Sequence, residues 1–449
     1  MFNKPSSLRR WCMRAALVLY LGGIGAAAQA QTEIYWWHAM SGALGDWVHE
    51  LASDFNASQN EYKVLPIYKG SYDQVAEAAM NVRAGEQSPH IVQVYEIGTA
   101  SMMANPAVRP IEDVMKEAQV FFSPRAYVPA VASYYTTANH RMVSQPFNSS
   151  TTVLHYNRDA FEDAGLDPNH PPATWSQLRE AARKLKAAGY DCPLTTSWVS
   201  WTQLESFSTW HNLPFATKNN GFDGTGARLL VNTPLHERHI QNLLDMSRQG
   251  LFIYKGRGNK ADDYFISGEC VMITASSSLH GKVQRDARFR AAIGPLPYYK
   301  NVKGAPQNTI IGGASLWVMK GKTEHEYKGV AQFMAYLMQP QVVAESHRRT
   351  GYLPITLAAA MQDMMQSADY YRRYPGADVA VQQMIRKTTT QSRGIRLGNF
   401  TQIRAIVDEE LEAVWAGQKP PREALDAIVT RGNHELQKFQ QAHPHILAQ

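Results

Sequence analysis

Three short runs of this chain put small hydrogen-bond donors side by side. Ser149-Ser150-Thr151 offers three consecutive hydroxyls, Ala275-Ser276-Ser277-Ser278 a second cluster after an apolar run, and Ile311-Gly312-Gly313-Ala314-Ser315 backbone amides among small side chains. They read as ligand-binding turns: small residues let the backbone approach an anion, and amides at such turns donate to phosphate-type oxygens. Each run alone is equally an ordinary loop. Hydrolysis of a phosphate ester would need clustered His and Asp ligands for paired metals, and the candidates are poorly spaced. His236 and His239 are three apart rather than four, and Pro444 between His443 and His445 prevents helical spacing. There is no G-x-S-x-G elbow and no phosphate-gripping Walker loop. The pattern points to binding without catalysis, with no metal and no cofactor.

Apolar runs alternate with amphipathic stretches, the α/β pattern. Strands are expected at 33–37, 62–68 and 91–95. Between them, Leu44, Trp47, Val48, Leu51 and Phe55 recur at helical spacing, and a second helix covers 72–84, stopped by Gly85. This β-α-β-α-β order implies a parallel sheet whose ligands sit at the carboxyl ends of strands. Trp37-His38, Gly70-Ser71-Tyr72 and Tyr95-Glu96 occupy those ends. Gln145-Pro146-Phe147 breaks the pattern, and a new extended segment starts at 152–156. Helices are expected at 175–188 and 231–249, extended segments at 291–297 and 310–319. A long helix carries Ile403, Ile406, Val407 and Leu411, and Pro421 lies at the tolerant start of the last helix.

Residues 1–30 read as a secretory signal peptide: Lys4, Arg9, Arg10 and Arg14, an apolar run, then Ala28-Gln29-Ala30 as a small-x-small cleavage site. Export to the periplasm follows. The four leader cations, with no leader anion, take the net charge from +6 to +2. The remaining basic residues form no blocks, so a nucleic-acid partner is not expected. No second stretch is long and apolar enough to span a membrane. Cys192 and Cys270 remain after the leader. An even pair in an oxidising compartment forms either a disulfide or two buried thiols.

The segments PFNSST, GFDG, APQN-x-IIGGASLWVM, TGYLPIT and IRLGN-x-x-QIR, with Trp198-x-x-Trp201 and YKGSYDQ at 68–74, resemble the glycerol-3-phosphate receptors of bacterial ABC importers (the Ugp type). More broadly they resemble the maltose-binding class of solute receptor. The resemblance runs from Trp37-His38 to about Gly432. It implies a two-lobed α/β fold with a hinge, each lobe a mixed sheet flanked by helices. The N-terminal lobe would comprise 31–144 with about 295–345, the C-terminal lobe 148–290 with about 350–449. Crossings would fall near 144–147, 290–295 and 345–352. It implies capture of glycerol-3-phosphate, with glycerophosphodiesters such as glycerophosphocholine as second ligands, by a monomer that delivers to a membrane permease with its ATPase.

The resemblance also implies the ligand set. Tyr72 and Glu96 would be the first-lobe contacts, the carboxylate accepting from glycerol hydroxyls. Ser150, Ser276, Tyr352 and the Gly313 amide would donate to phosphate or glycerol. Arg404 would be the counter-charge, its fork matched to two phosphate oxygens, and Trp198 and Trp201 would pack on the glycerol carbons. Read without it, the same residues allow core tryptophans, a helix-capping Glu96, a turn aromatic at Tyr352 and solvated arginines at 396 and 404. One local departure, Ser71 and Asp73 where the family turn often reads GNYEQ, leaves Tyr72 in place.

Overall fold

The computed structural model describes residues 31–82, 88–137, 139–386 and 388–444. The expected signal peptide, the helix stop at Gly85 and His445 lie outside the described residues.

Among the described residues nine strands occur in the order β1 Thr32–His38, β2 Tyr62–Tyr68, β3 Ile91–Tyr95, β4 Val108–Arg109, β5 Gln145–Asn157, β6 Cys192–Thr196, β7 Cys270–Ser276, β8 Ala291–Gly294 and β9 Ile311–Met319. β1 pairs in parallel with β2 and β3, as the β-α-β-α-β pattern predicts. β9 then enters antiparallel between β3 and β5, so the sheet is mixed. β5 is the keystone. Its first half, Gln145 to Thr151, pairs with β9, and its second half, from Thr152, pairs with β7 and β8. β6 joins in parallel beyond β7.

Two of the expected turns are therefore strand. Ser149-Ser150-Thr151 lies inside β5, and Ile311 to Ser315 inside β9, directly opposite it: Ser149 faces Gly313 and Ser150 faces Gly312. A bulge between Pro146 and Asn148 absorbs the proline, and the extended segment expected at 310–319 stands as β9 with both glycines in regular register. Gly313, at φ 95°, has no room for a side chain, because a Cβ there would meet the Asn148 carbonyl oxygen at 1.8 Å. Only glycine fits that close approach of two strands.

The helices form where the periodicity places them, with ends set by local chemistry. Tyr72–Met80 starts at a capping box between Ser71 and Gln74 and closes at Asn81, short of 84. Pro234–Arg248 starts later than 231 because Thr233 caps it and Pro234 takes its first position. The expected extended segment at 291–297 is strand only to Gly294. One core cluster packs Trp36, Val48, Phe55 and Ile91 against Phe333. Another joins Val94, Trp201 and Trp317 to Phe400 and Val407, and a third gathers Leu154, Leu178, Phe207 and Phe252. A disulfide joins Cys192 to Cys270, the opening residues of β6 and β7 and direct register partners. Among the described residues no helix is long and apolar enough to cross a membrane.

Candidate functional site

β3 ends at Tyr95, and Glu96 opens a short 3-10 turn, Glu96–Gly98. The carboxylate thus sits at a strand's carboxyl end, where the sheet's ligands are expected, and it is 3% exposed. Arg404, on the helix Phe400–Trp415, reaches it: Nη2 donates to Glu96 Oε1 at 2.6 Å. The same guanidinium closes its fork on Glu205, with Nε to Oε1 at 2.7 Å and Nη2 to Oε2 at 2.8 Å. Ser200 Oγ donates to Glu205 as well, at 3.0 Å. Burial works against the Arg404 charge, but Glu205 and Glu96 outweigh it and hold the guanidinium firmly protonated. Burial pushes the Glu96 carboxyl upward against the pull of Arg404.

Glu205 ends a π-helical turn, Trp201–Glu205, that begins after Trp198, itself at φ 50°. Such turns widen a helix locally and recur at functional sites. This one aims Trp201 at β9, where its ring fills the space a Gly312 side chain would take, with Cζ2 2.4 Å from the Cβ position. The indole Nε1 of Trp201 is buried and without a hydrogen-bond partner.

Tyr72, the first residue of its helix, stacks on Tyr95 with ring centroids 5.2 Å apart and planes 3° from parallel. Its hydroxyl accepts from Asn148 Nδ2 at 2.8 Å, and Asn148 Oδ1 accepts from Gln93 Nε2 at 2.8 Å. Burial raises the ionisation of both Tyr72 and Tyr352 above the ordinary phenol value, so both stay neutral donors. Ser276, at the end of β7, shares a 2.8 Å hydrogen bond with Ser278.

All nine expected ligand residues line one small cavity of about 70 Å³: Tyr72, Glu96, Ser150, Trp198, Trp201, Ser276, Gly313, Tyr352 and Arg404. Tyr95, Ser278 and Gly312 complete the wall. The cavity opens past Tyr72, Trp198, Ser276, Ser278 and Tyr352 into an outer chamber of about 850 Å³. Two roles change. The Arg404 fork is closed on Glu205 rather than left open for two ligand oxygens, and its Nη1 is the nitrogen without a partner among the described residues. The sequence reading also missed Glu205 itself. Its signal is the lone charge between Asp191 and Lys218 in a run of neutral and apolar residues, where an isolated carboxylate must find a cation.

His236 and His239, the weak metal motif, are core residues. His236 bridges Thr233 and Ser208, and His239 stacks on Phe207 and meets Gln203. Among the described residues no three His, Cys, Asp or Glu side chains converge as metal ligands.

A small cavity at strand ends, with a buried ion pair and tryptophans in its wall and a wider chamber outside it, suits a receptor for a small solute. The chain belongs to the family of bacterial extracellular solute-binding proteins, which it matches over residues 50–372. It is 47% identical over 444 residues to the sn-glycerol-3-phosphate-binding periplasmic protein UgpB of Pectobacterium atrosepticum, covering 98% of this chain and 100% of that protein. The protein of the same name from Salmonella typhimurium is 48% identical over 438 residues, covering 97% and 99%. Among solved structures, UgpB of Mycobacterium tuberculosis in complex with glycerophosphocholine superposes with a TM-score of 0.74 at 20% identity, covering 92% of this chain and 100% of that one. Maltose-bound MalE3 of T. maritima gives 0.70 at 16% identity, covering 90% and 99%. The fold is thus the two-lobed, mixed-sheet architecture of the maltose-binding class.

Proposed function

We propose that this chain is the periplasmic receptor of an ABC importer that captures glycerol-3-phosphate between its lobes and delivers it to the permease. The observation that carries the reading is the cavity in which Glu96, Arg404, three serine hydroxyls and three neutral tyrosines meet. Near-full-length identity of 47% to a receptor named for this ligand supports it. Glu96 and Arg404 suit the glycerol hydroxyls, one accepting and the other donating. Ser150, Ser276, Ser278 and Tyr352 suit the phosphate oxygens, since each is a neutral donor. Trp198 and Trp201 cover the carbon chain. The lobes correspond to the sheet halves that β5 joins, 31–144 with about 295–345 and 148–290 with about 350–449. The receptor acts as a monomer, without catalysis, and its permease is driven by a separate ATPase.

The outer chamber favours a second ligand class, glycerophosphodiesters, because an alcohol esterified to the phosphate has about 850 Å³ to occupy. Isothermal titration of the mature protein tests both. Saturable one-to-one binding of glycerol-3-phosphate, with none for maltose, is the expected result. Preference for maltose or another neutral oligosaccharide would return the chain to the sugar receptors.

A further inference from the structure

The inner cavity has one cation, Arg404, and two buried carboxylates bonded to it. Glu96 is 3% exposed and Glu205 fully buried. The floor of the pocket therefore has one more carboxylate than cation before any ligand arrives. An anionic phosphate ester adds to that excess in a space of about 70 Å³. Water that screens the empty pocket is displaced on loading, and the low dielectric strengthens every remaining repulsion. Like charges crowded on one site do not all stay ionised.

Among the described residues no cation other than Arg404 acts on Glu96. From the helix bearing Arg404, Asp408 faces the same cluster and adds another acid, pushed up to about 7 by burial. Tyr72 faces Glu96 from the helix Tyr72–Met80, and Tyr134 and Tyr135 face it from the turn Ser133–Tyr135. Tyr95, next in sequence to Glu96, lies beside Arg404. Burial holds all four phenols neutral, so they add no positive charge. Arg257 is closed on Glu412 and compensates that carboxylate instead.

We propose that Glu205, by sharing Arg404 with Glu96, makes capture of an anionic ligand proton-coupled: the loaded pocket holds one proton on this carboxylate pair that the empty pocket does not. The proton comes from solvent and forms an O–H bond on a carboxyl oxygen. It belongs to the pair rather than to one residue, as for any strongly coupled carboxylates. Arg404 then faces one carboxylate and one neutral carboxyl, and the pocket floor is neutral when the phosphate enters. The neutral carboxyl is also a donor, which an ionised one is not. Glu205 acts as a positioning residue, since it lies behind Arg404.

The inference rests on the phosphate-ester reading above and is tested with it. Glycerophosphoglycerol is the first probe, because a diester with an uncharged second alcohol stays a net monoanion and cannot itself take up the proton. Titrations in buffers of different ionisation enthalpy count protons directly. We expect uptake approaching one proton near neutral pH and affinity falling tenfold per pH unit where uptake is complete. In Glu205→Gln the uptake disappears and affinity is flat over the same range; Glu96→Gln gives the same loss from the other member of the pair. With glycerol-3-phosphate, the Glu205→Gln comparison separates a proton on the protein from one on the phosphate. Buffer-independent heats with flat affinity in the unmodified protein overturn the proposal, as does undiminished uptake in Glu205→Gln. Absence of saturable heat with either phosphate ester overturns the ligand reading, and the proposal falls with it.

Discussion

Arg404 carries two loads, and they are separable by substitution. It contributes charge-assisted hydrogen bonding at the pocket wall and it neutralises buried Glu96 and Glu205. Arg404→Ala should cost about 2–3 kcal/mol of ligand affinity. It should also destabilise the unliganded protein by about 3–5 kcal/mol, because two buried carboxylates lose their cation. Titration measures the first loss and thermal melting without ligand the second. A fall in affinity with an unchanged melt would mean that Glu96 and Glu205 do not depend on Arg404. Arg404→Lys keeps the charge but cannot close a fork on Glu205, so it should recover only part of each. The histidines away from the site set a second residue-scale behaviour. Burial pushes His211 down to about 4 and His236 down to about 3. In the unfolded chain both titrate near about 6.5, so the unfolded state binds more protons below that value. Their contribution is fully present above about pH 6.5 and is lost as pH falls toward about 4. Melting temperature should decline through that window. His236→Asn, which removes one such proton, should make the decline shallower.

At the scale of elements, what the sequence made legible was the part governed by local periodicity. The first three strands and the helix between Leu44 and Phe55 stand where their apolar spacing places them. Pro146 misled, because breakers usually mark turns, whereas the extended segment read at 310–319 stands as β9 with Gly312-Gly313 inside it. Here strand pairing over the length of β5 and β9 outweighs that preference, and one bulge absorbs the misfit. All nine expected ligand residues line one cavity, but their grouping came from family motifs, since residues from Tyr72 to Arg404 cannot be brought together by local pattern. Glu205 stayed hidden because its meaning depends on a π turn and a partner 199 residues away. The disulfide belongs to the same scale. It ties β6 to β7 across 78 residues of sequence, at the edge of the sheet. Reduction, or Cys192→Ser with Cys270→Ser, should lower stability by about 2–4 kcal/mol, chiefly through the unfolded chain. Cys192 and Cys270 lie outside the cavity lining, so ligand affinity at 25 °C should stay within about twofold. Parallel melts and titrations of the oxidised and reduced protein check both halves.

For the whole molecule the consequence of this layout is that ligand and fold are linked through walls drawn from both halves of the sheet that β5 joins. β5 pairs with β9 on one side and with β7 on the other, and the cavity draws walls from both: Tyr72, Glu96 and Gly313 against Trp198, Ser276 and Arg404. A ligand seated there binds only the native arrangement, so it stabilises by mass action. At a hundredfold excess over Kd the gain should be about 2.7 kcal/mol. At the roughly 2–4 °C per kcal/mol expected for domains of 150–250 residues, the shift is bounded at about 11 °C and should be smaller in this longer chain. The shift should be a property of both walls together. Trp201→Ala removes a buried ring from one wall, at about 2 kcal/mol of affinity, and so should remove most of the stabilisation at the same ligand concentration. Raising the ligand concentration in proportion to the weakened Kd should restore it, because mass action depends only on the ratio of ligand to Kd. A variant that binds at the higher concentration but gains no stability would show that its ligand no longer discriminates the native arrangement from the unfolded one.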